Sequence, residues 1–113
     1  MKRLEISGNV LRATSDLLPF MAHEFEAKVQ ELLATGSPEV VIDLSGVREI
    51  ASVFLASMVQ ACVSAASSRK RVTIRVPKRL RSFFDFADAE KNVVVEAVED
   101  PPRRPSGEGA EED

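Results

Sequence analysis

The run Val40-Val41-Ile42-Asp43-Leu44 is nearly continuous in apolar character rather than alternating, the pattern of an interior strand covered on both faces in a mainly parallel sheet. Parallel strands need long crossover connections, and both flanks of this run supply helical spacing. Upstream, Leu18, Met21, Phe25, Val29 and Leu32 recur every three or four residues, with Glu24, Glu26, Lys28 and Glu31 on other faces. This predicts an amphipathic helix over about Asp16 to Thr35. Ser15 or Asp16 can cap it, Pro19 falls in the first turn where a missing N–H costs little, and Gly36-Ser37-Pro38 ends it. Downstream, Ser45-Gly46 and a short connection over Val47–Ile50 lead to Leu55, Met58, Val59, Cys62, Ala65 and Ala66 at helical spacing. The second helix is Ala-rich and is expected to pack closely on the sheet.

The remaining elements complete an α/β pattern. Leu4-Glu5-Ile6-Ser7, then Gly8-Asn9, then Val10-Leu11-Arg12-Ala13-Thr14 predicts a hairpin, since Gly and Asn tolerate positive φ between β-prone flanks. Val72, Ile74 and Val76 alternate with Thr73 and Arg75, strand period with one wet face. Pro77 suits the first position of a third helix bearing Leu80, Phe83, Phe84 and Ala87. Because consecutive helical positions rotate by about 100°, two of Phe83, Phe84 and Phe86 are expected in the core and one exposed. Val93-Val94-Val95 forms a last short strand. The order ββαβαβα(β) predicts a mixed sheet of four to five strands covered by helices. With 113 residues, 44% of them hydrophobic, the chain makes one domain and buries roughly 65% of its unfolded surface, enough to fold without staples.

The net charge of −3 hides a division. Residues 99–113 carry Glu99, Asp100, Glu108, Glu111, Glu112 and Asp113 against Arg103 and Arg104, a net of −4, which leaves residues 1–98 at +1. The segment has no apolar side chain larger than Ala beyond its prolines, too little to offset the entropy of ordering, so the expected division is a domain over 1–98 and a disordered acidic tail over 99–113. A single Cys62, a single His23 and no Trp or Tyr leave few groups for proton transfer, metal binding or base stacking. His23-Glu24 begins a zinc-protease motif, but Ala27 stands where the second His belongs. His23 is expected to be solvated and Cys62 to act as a small core hydrophobe. No phosphate-cradling glycine motif occurs. The chain is therefore expected to be no enzyme, with no catalytic residue, metal or cofactor. Without a signal segment or an apolar run of about 18 residues, a cytoplasmic location is expected. Between residues 69 and 81, seven bases (Arg69, Lys70, Arg71, Arg75, Lys78, Arg79 and Arg81) stand without an acid. They suit an anionic partner or lipid headgroup or a merely solvated face, and nucleic acid is disfavoured because no aromatic is interleaved with them.

Val40-Val41-Ile42-Asp43-Leu44-Ser45-Gly46-Val47 resembles the hydrophobic strand ending in D-L-S-x-V of the STAS domain, the family of sulfate transporters and anti-sigma factor antagonists. Ile50 before the loop, the strand over Val72–Val76, and Leu80 to Ala87 followed by an acid extend the likeness over about residues 4–97. The resemblance implies a STAS-like fold and a non-catalytic, protein-binding module of a bacterial signalling or partner-switching system, with a kinase-like anti-sigma factor or another regulator as partner. It also implies an alternative, since some members are small cytoplasmic subunits of ABC lipid transporters.

In phosphorylated members the loop reads roughly D-S-S-G-L, and a partner kinase modifies the second Ser. The corresponding residues here are Ala51-Ser52-Val53-Phe54-Leu55. Val53 has no hydroxyl, so phosphorylation at the usual position is not expected, while Ser52 remains as an acceptor in a register shifted by one or as the N-cap of the second helix. The partner-binding residues implied by the resemblance are Ser52, Val53, Phe54 and Ser57. Phe54 lies about 100° from the apolar stripe beginning at Leu55, which suits a partly exposed docking anchor; the competing account packs it against the first helix.

Overall fold

The computed structural model describes residues 3–101. Two strands, β1 (Leu4–Ser7) and β2 (Val10–Ala13), form the expected antiparallel hairpin, with Gly8 at φ +62° in the turn. Strand β3 (Glu39–Asp43) lies parallel to β2, β4 (Arg71–Pro77) parallel to β3, and β5 (Val93–Val98) parallel to β4, so the five strands stand in chain order with β3 in the middle. Helix α1 (Ala22–Leu33) connects β2 to β3 and α2 (Phe54–Ser67) connects β3 to β4. A 3-10 segment, Lys78–Ala89, connects β4 to β5.

Burial follows from strand periodicity. Leu4, Leu11, Ala13, Val40, Ile42, Val72, Ile74 and Val76 point to one side and are buried with Phe25, Val29 and Leu32 of α1, Met58 and Cys62 of α2, and Phe84. The opposite face carries Val10, Val41, Thr73 and Val94 in one registered row, none of them buried. Among the described residues the helices therefore form a single layer, and β3 is covered by them on one face rather than on both. Beside the apolar row lies a second one, Glu5, Arg12, Asp43, Arg75 and Glu96, whose charges alternate in sign across all five strands. Arg12 Nε lies 3.2 Å from Asp43 Oδ2, Arg75 Nη1 lies 3.8 Å from the same oxygen, and Arg75 Nε lies 3.0 Å from Glu96 Oε1. Complementary cross-strand pairs stabilise this face of the sheet, which no helix among the described residues covers.

Several local expectations are corrected. Neither Ser15 nor Asp16 caps the first helix, which begins with a 3-10 turn at Pro19–Met21 and has no side-chain cap. Asp16 Oδ1 instead accepts the N–H groups of Arg48 (2.9 Å) and Glu49 (3.2 Å), bracing the loop after β3. Pro77 ends β4 rather than opening a helix, and the segment after it is 3-10 with a kink at Phe84 (φ −106°, ψ 20°). That geometry lets all three phenylalanines reach the core: Phe84 is fully buried and Phe83 and Phe86 pack on it at ring distances of 5.1 and 6.1 Å. The last strand runs to Val98, and Glu99 and Asp100, expected in the tail, are held to the domain. Lys78 Nζ donates to Glu99 Oε2 (2.8 Å) and Arg79 N to Asp100 Oδ1 (3.1 Å). The remainder of the expected tail lies outside the described residues.

Candidate functional site

The loop between β3 and α2 is built by Asp43. Its Oδ1 accepts both the N–H (3.0 Å) and the hydroxyl (2.7 Å) of Ser45, which turns the chain out of the strand. Burial to 3% exposure opposes the charge of this carboxylate, but the Ser45 hydroxyl and N–H, Arg75 and Arg12 together outweigh it and hold its pKa below the ordinary value. Further along, Leu17 pairs with Ile50 as an isolated bridge: Leu17 N donates to Glu49 O and Ala51 N to Leu17 O, both at 2.9 Å. The loop is thereby stitched to the turn that opens α1, and with Asp16 it presents residues 51–53 on a rigid base.

At the loop's end the four expected docking residues separate into two outward and two inward. Ser52 is exposed and Val53 is half exposed. Ser52 does not cap α2 with its side chain; the helix begins instead with the backbone bonds Phe54 N to Ala51 O and Leu55 N to Ser52 O, both 3.0 Å. Phe54 is 0% exposed and meets Phe25 edge to face, with ring centroids 5.4 Å apart and planes at 84°. It is a core residue, and the expectation of an exposed anchor is overturned. Ser57 is buried at 8% exposure and donates to Glu26 Oε2 at 2.7 Å, tying α2 to α1.

The phase of α2 differs accordingly. Its inner face is Phe54, Ser57, Met58, Ala61, Cys62 and Ala65, not the stripe from Leu55. Leu55, Val59 and Val63, spaced by four, are exposed at 43, 38 and 46%, and with Val53 they form an apolar ridge. Leu18 and Phe20 are exposed beside Leu17, where the α1 turn meets the loop. From Ile50 to Ser68 there is no charged side chain, so this outer face is neutral along its length, its apolar side chains standing beside exposed Ser52, Gln60 and Ser67. Exposed apolar side chains gathered along one helix face, rather than scattered singly, are the arrangement that marks contact surfaces. The expectation placed Leu55 and Val59 in the core and missed the ridge; its legible signal was a helix with no charge on any face, which must cover both its sides.

Between α1 and α2 lies a cavity of about 360 Å³ lined by His23, Glu26, Gln30, Ser57 and Gln60 among others. The Ser57 proton is committed to Glu26, and His23 bonds to neither among the described residues, so the three do not form a nucleophilic relay. Cys62 is buried, and desolvation, aided by Glu90, pushes its thiol pKa up to about 11; a thiol so placed stays protonated and unreactive. The run of bases is dispersed by the strand and the 3-10 turn. Arg75 pairs with Asp43 and Glu96, Lys78 with Glu99, and Arg81 with Asp85 (3.4 Å) and Asp88 (2.7 Å), while Lys70 Nζ donates to Thr35 O and Ser37 O. Among the described residues no helix is long and apolar enough to cross a membrane.

A family model described as "Mlab, STAS domain" matches residues 2–96. No curated protein matches the chain. Among solved structures it is similar to a protein from Thermotoga maritima provisionally described as an anti-sigma factor antagonist, at 21% identity and TM-score 0.65 over 84% of this chain and 85% of that one. An anti-sigma factor antagonist from Mycobacterium paratuberculosis is similar at 18% identity and TM-score 0.63, over 84% and 83% of the two chains. The ordered sheet, the Asp43–Ser45 turn out of its central strand and the match over residues 2–96 agree, and the chain belongs to the STAS family.

Proposed function

We propose that this chain is a non-catalytic docking module of a bacterial, cytoplasmic partner-switching system, similar in role to an anti-sigma factor antagonist, which binds a kinase-like anti-sigma factor or another regulator through the outer face of α2. The observation that carries this reading is the neutral ridge of Val53, Leu55, Val59 and Val63 beside the braced loop. A partner surface of matching apolar character gains from burying such a ridge, at roughly 1.5–3 kcal/mol for each Val or Leu side chain taken fully out of water. Val53 at the position of the usual phosphoacceptor has no hydroxyl there to switch the contact, so the contact is constitutive in this reading unless Ser52 serves in a register shifted by one.

A second reading, a small cytoplasmic subunit of an ABC lipid transporter seated against the nucleotide-binding subunit, draws on the membership of the STAS family and on Val53 at the usual acceptor position. The two readings share the surface and differ in the partner. The test is co-expression with a kinase-like anti-sigma factor and, separately, with the nucleotide-binding subunit of an ABC lipid transporter from the same genome, followed by measurement of affinity. Val59→Asp is expected to weaken the true partner's binding at least thirtyfold with an unchanged melting temperature. Undiminished binding by Val59→Asp would refute the α2 surface in either reading.

A further inference from the structure

We propose that the far end of α2 carries an anion site that takes a phosphate group, distinct from the docking ridge and independent of the reading above. A cavity of about 500 Å³ opens where α2 ends and β4 and β5 begin, walled by Ala66, Arg69, Lys70, Arg71, Glu90 and Lys91. Four cations against one carboxylate raise a local positive potential in a domain otherwise close to neutral. The site lies about 21 Å from the loop at residues 51–53, the length of a 14-residue helix.

Cations at a helix C-terminus are commonly spent on the terminal carbonyls, and here they are not. Backbone N–H groups fill that role: Ser68 N bonds Ser64 O and Ala65 O, Arg69 N bonds Ala66 O, and Lys70 N bonds Ala65 O. The Asn92 amide reaches Cys62 O (3.4 Å) and Lys70 O (3.1 Å). Lys70 Nζ is occupied by the carbonyls of Thr35 and Ser37. The Arg69, Arg71 and Lys91 side chains make no hydrogen bond or ion pair among the described residues, in contrast to Arg75, Lys78 and Arg81 along the same run. Arg69 also holds φ at 58°, a region that non-glycine residues rarely adopt. A glycine would relieve that strain, whereas an arginine there places a guanidinium at the cavity's edge. Two guanidinium groups and an ammonium around one concavity match the bidentate and point-charge recognition that phosphate oxygens favour.

The phosphate could belong to a soluble ligand or to the headgroup of an anionic lipid, and two assays separate the sources. Inorganic phosphate and pyrophosphate are titrated into ¹⁵N-labelled full-length protein, and sedimentation is measured with vesicles of pure phosphatidylcholine or of equimolar phosphatidylcholine and phosphatidylglycerol. Saturable amide shifts centred on Arg69–Arg71 and Glu90–Asn92, with a dissociation constant of about 1 mM or tighter, indicate the soluble anion. Retention on the anionic vesicles alone indicates the headgroup. In either case Lys91→Gln is expected to weaken binding about fivefold. Arg69→Gly should weaken it similarly while raising the melting temperature, so lost binding cannot be attributed to unfolding. Absence of both effects, or binding that neither variant weakens, would overturn the site.

Discussion

Replacing Phe54 by Ala tests the packing of the helix layer and, with it, the phase of α2. Phe54 is completely buried between the helices and its ring meets Phe25 edge to face at 5.4 Å. Truncation removes the ring's transfer energy and leaves a cavity, together about 3–5 kcal/mol, of which the aromatic pair accounts for about 0.5–1.5 kcal/mol. A domain of this size has a total stability of about 5–15 kcal/mol, so the variant should fold but melt about 15–25 °C lower. The assay is far-UV circular dichroism during heating, with urea unfolding at 25 °C to obtain the free energy directly. Phe54→Leu, which keeps the cavity mostly filled, should lose about half as much or less. Leu55→Ala and Val59→Ala, on the outer face, should change stability by no more than about 0.5 kcal/mol. A Phe54→Ala loss below about 1 kcal/mol, or an equal loss for Val59→Ala, would refute the observed phase and restore the stripe from Leu55 as the inner face.

Three further expectations concern single groups. Since the folded pKa of Asp43 lies below its ordinary value, its contribution is present above that value and is lost as pH falls through the folded pKa; Asp43→Asn should cost about 1.5–3 kcal/mol at pH 7, and the gap to the wild type should narrow in urea titrations below pH 4. A gap of constant size would show that the carboxylate's charge plays no part. Cys62, with its pKa near 11, should react with Ellman's reagent at pH 8 only as fast as the domain opens; equal rates with and without urea would contradict its burial. Intact mass after incubation with a kinase-like anti-sigma factor from the same genome and ATP should show no added phosphate, and an addition abolished by Ser52→Ala would show that the acceptor register has moved by one residue.

The elements were legible where local rules suffice. Gly8-Asn9 between β-prone flanks specified the hairpin, and Val40 to Leu44 specified the middle strand within one residue. Its covering was misread because Val41 is apolar on the open face, where cross-strand neighbours Val10 and Thr73 shield it, and a run of valines looks the same with one face covered as with two. The phase of α2 was not readable from period alone: without a charge between Ile50 and Ser68, two apolar stripes compete, and the size of Phe54 decided between them by filling the space against Phe25. Asp16 matches a helix cap locally, yet its bonds go to Arg48 and Glu49, more than thirty residues on, and nothing in the neighbouring sequence encodes that. The run of seven bases likewise reads as one patch in sequence because the counterions of Arg75 and Lys78, which are Asp43, Glu96 and Glu99, come from other strands and from the segment after β5.

The most direct test of the docking account is hydrogen–deuterium exchange of the full chain, alone and in complex with whichever candidate, the kinase-like regulator or the transporter ATPase, binds it in the co-expression test. The account predicts new protection over residues 50–63 and the turn at Leu18–Phe20, with the open sheet face of Val10, Val41, Thr73 and Val94 unchanged. Protection confined to that sheet face, with exchange in α2 unaltered, would contradict it.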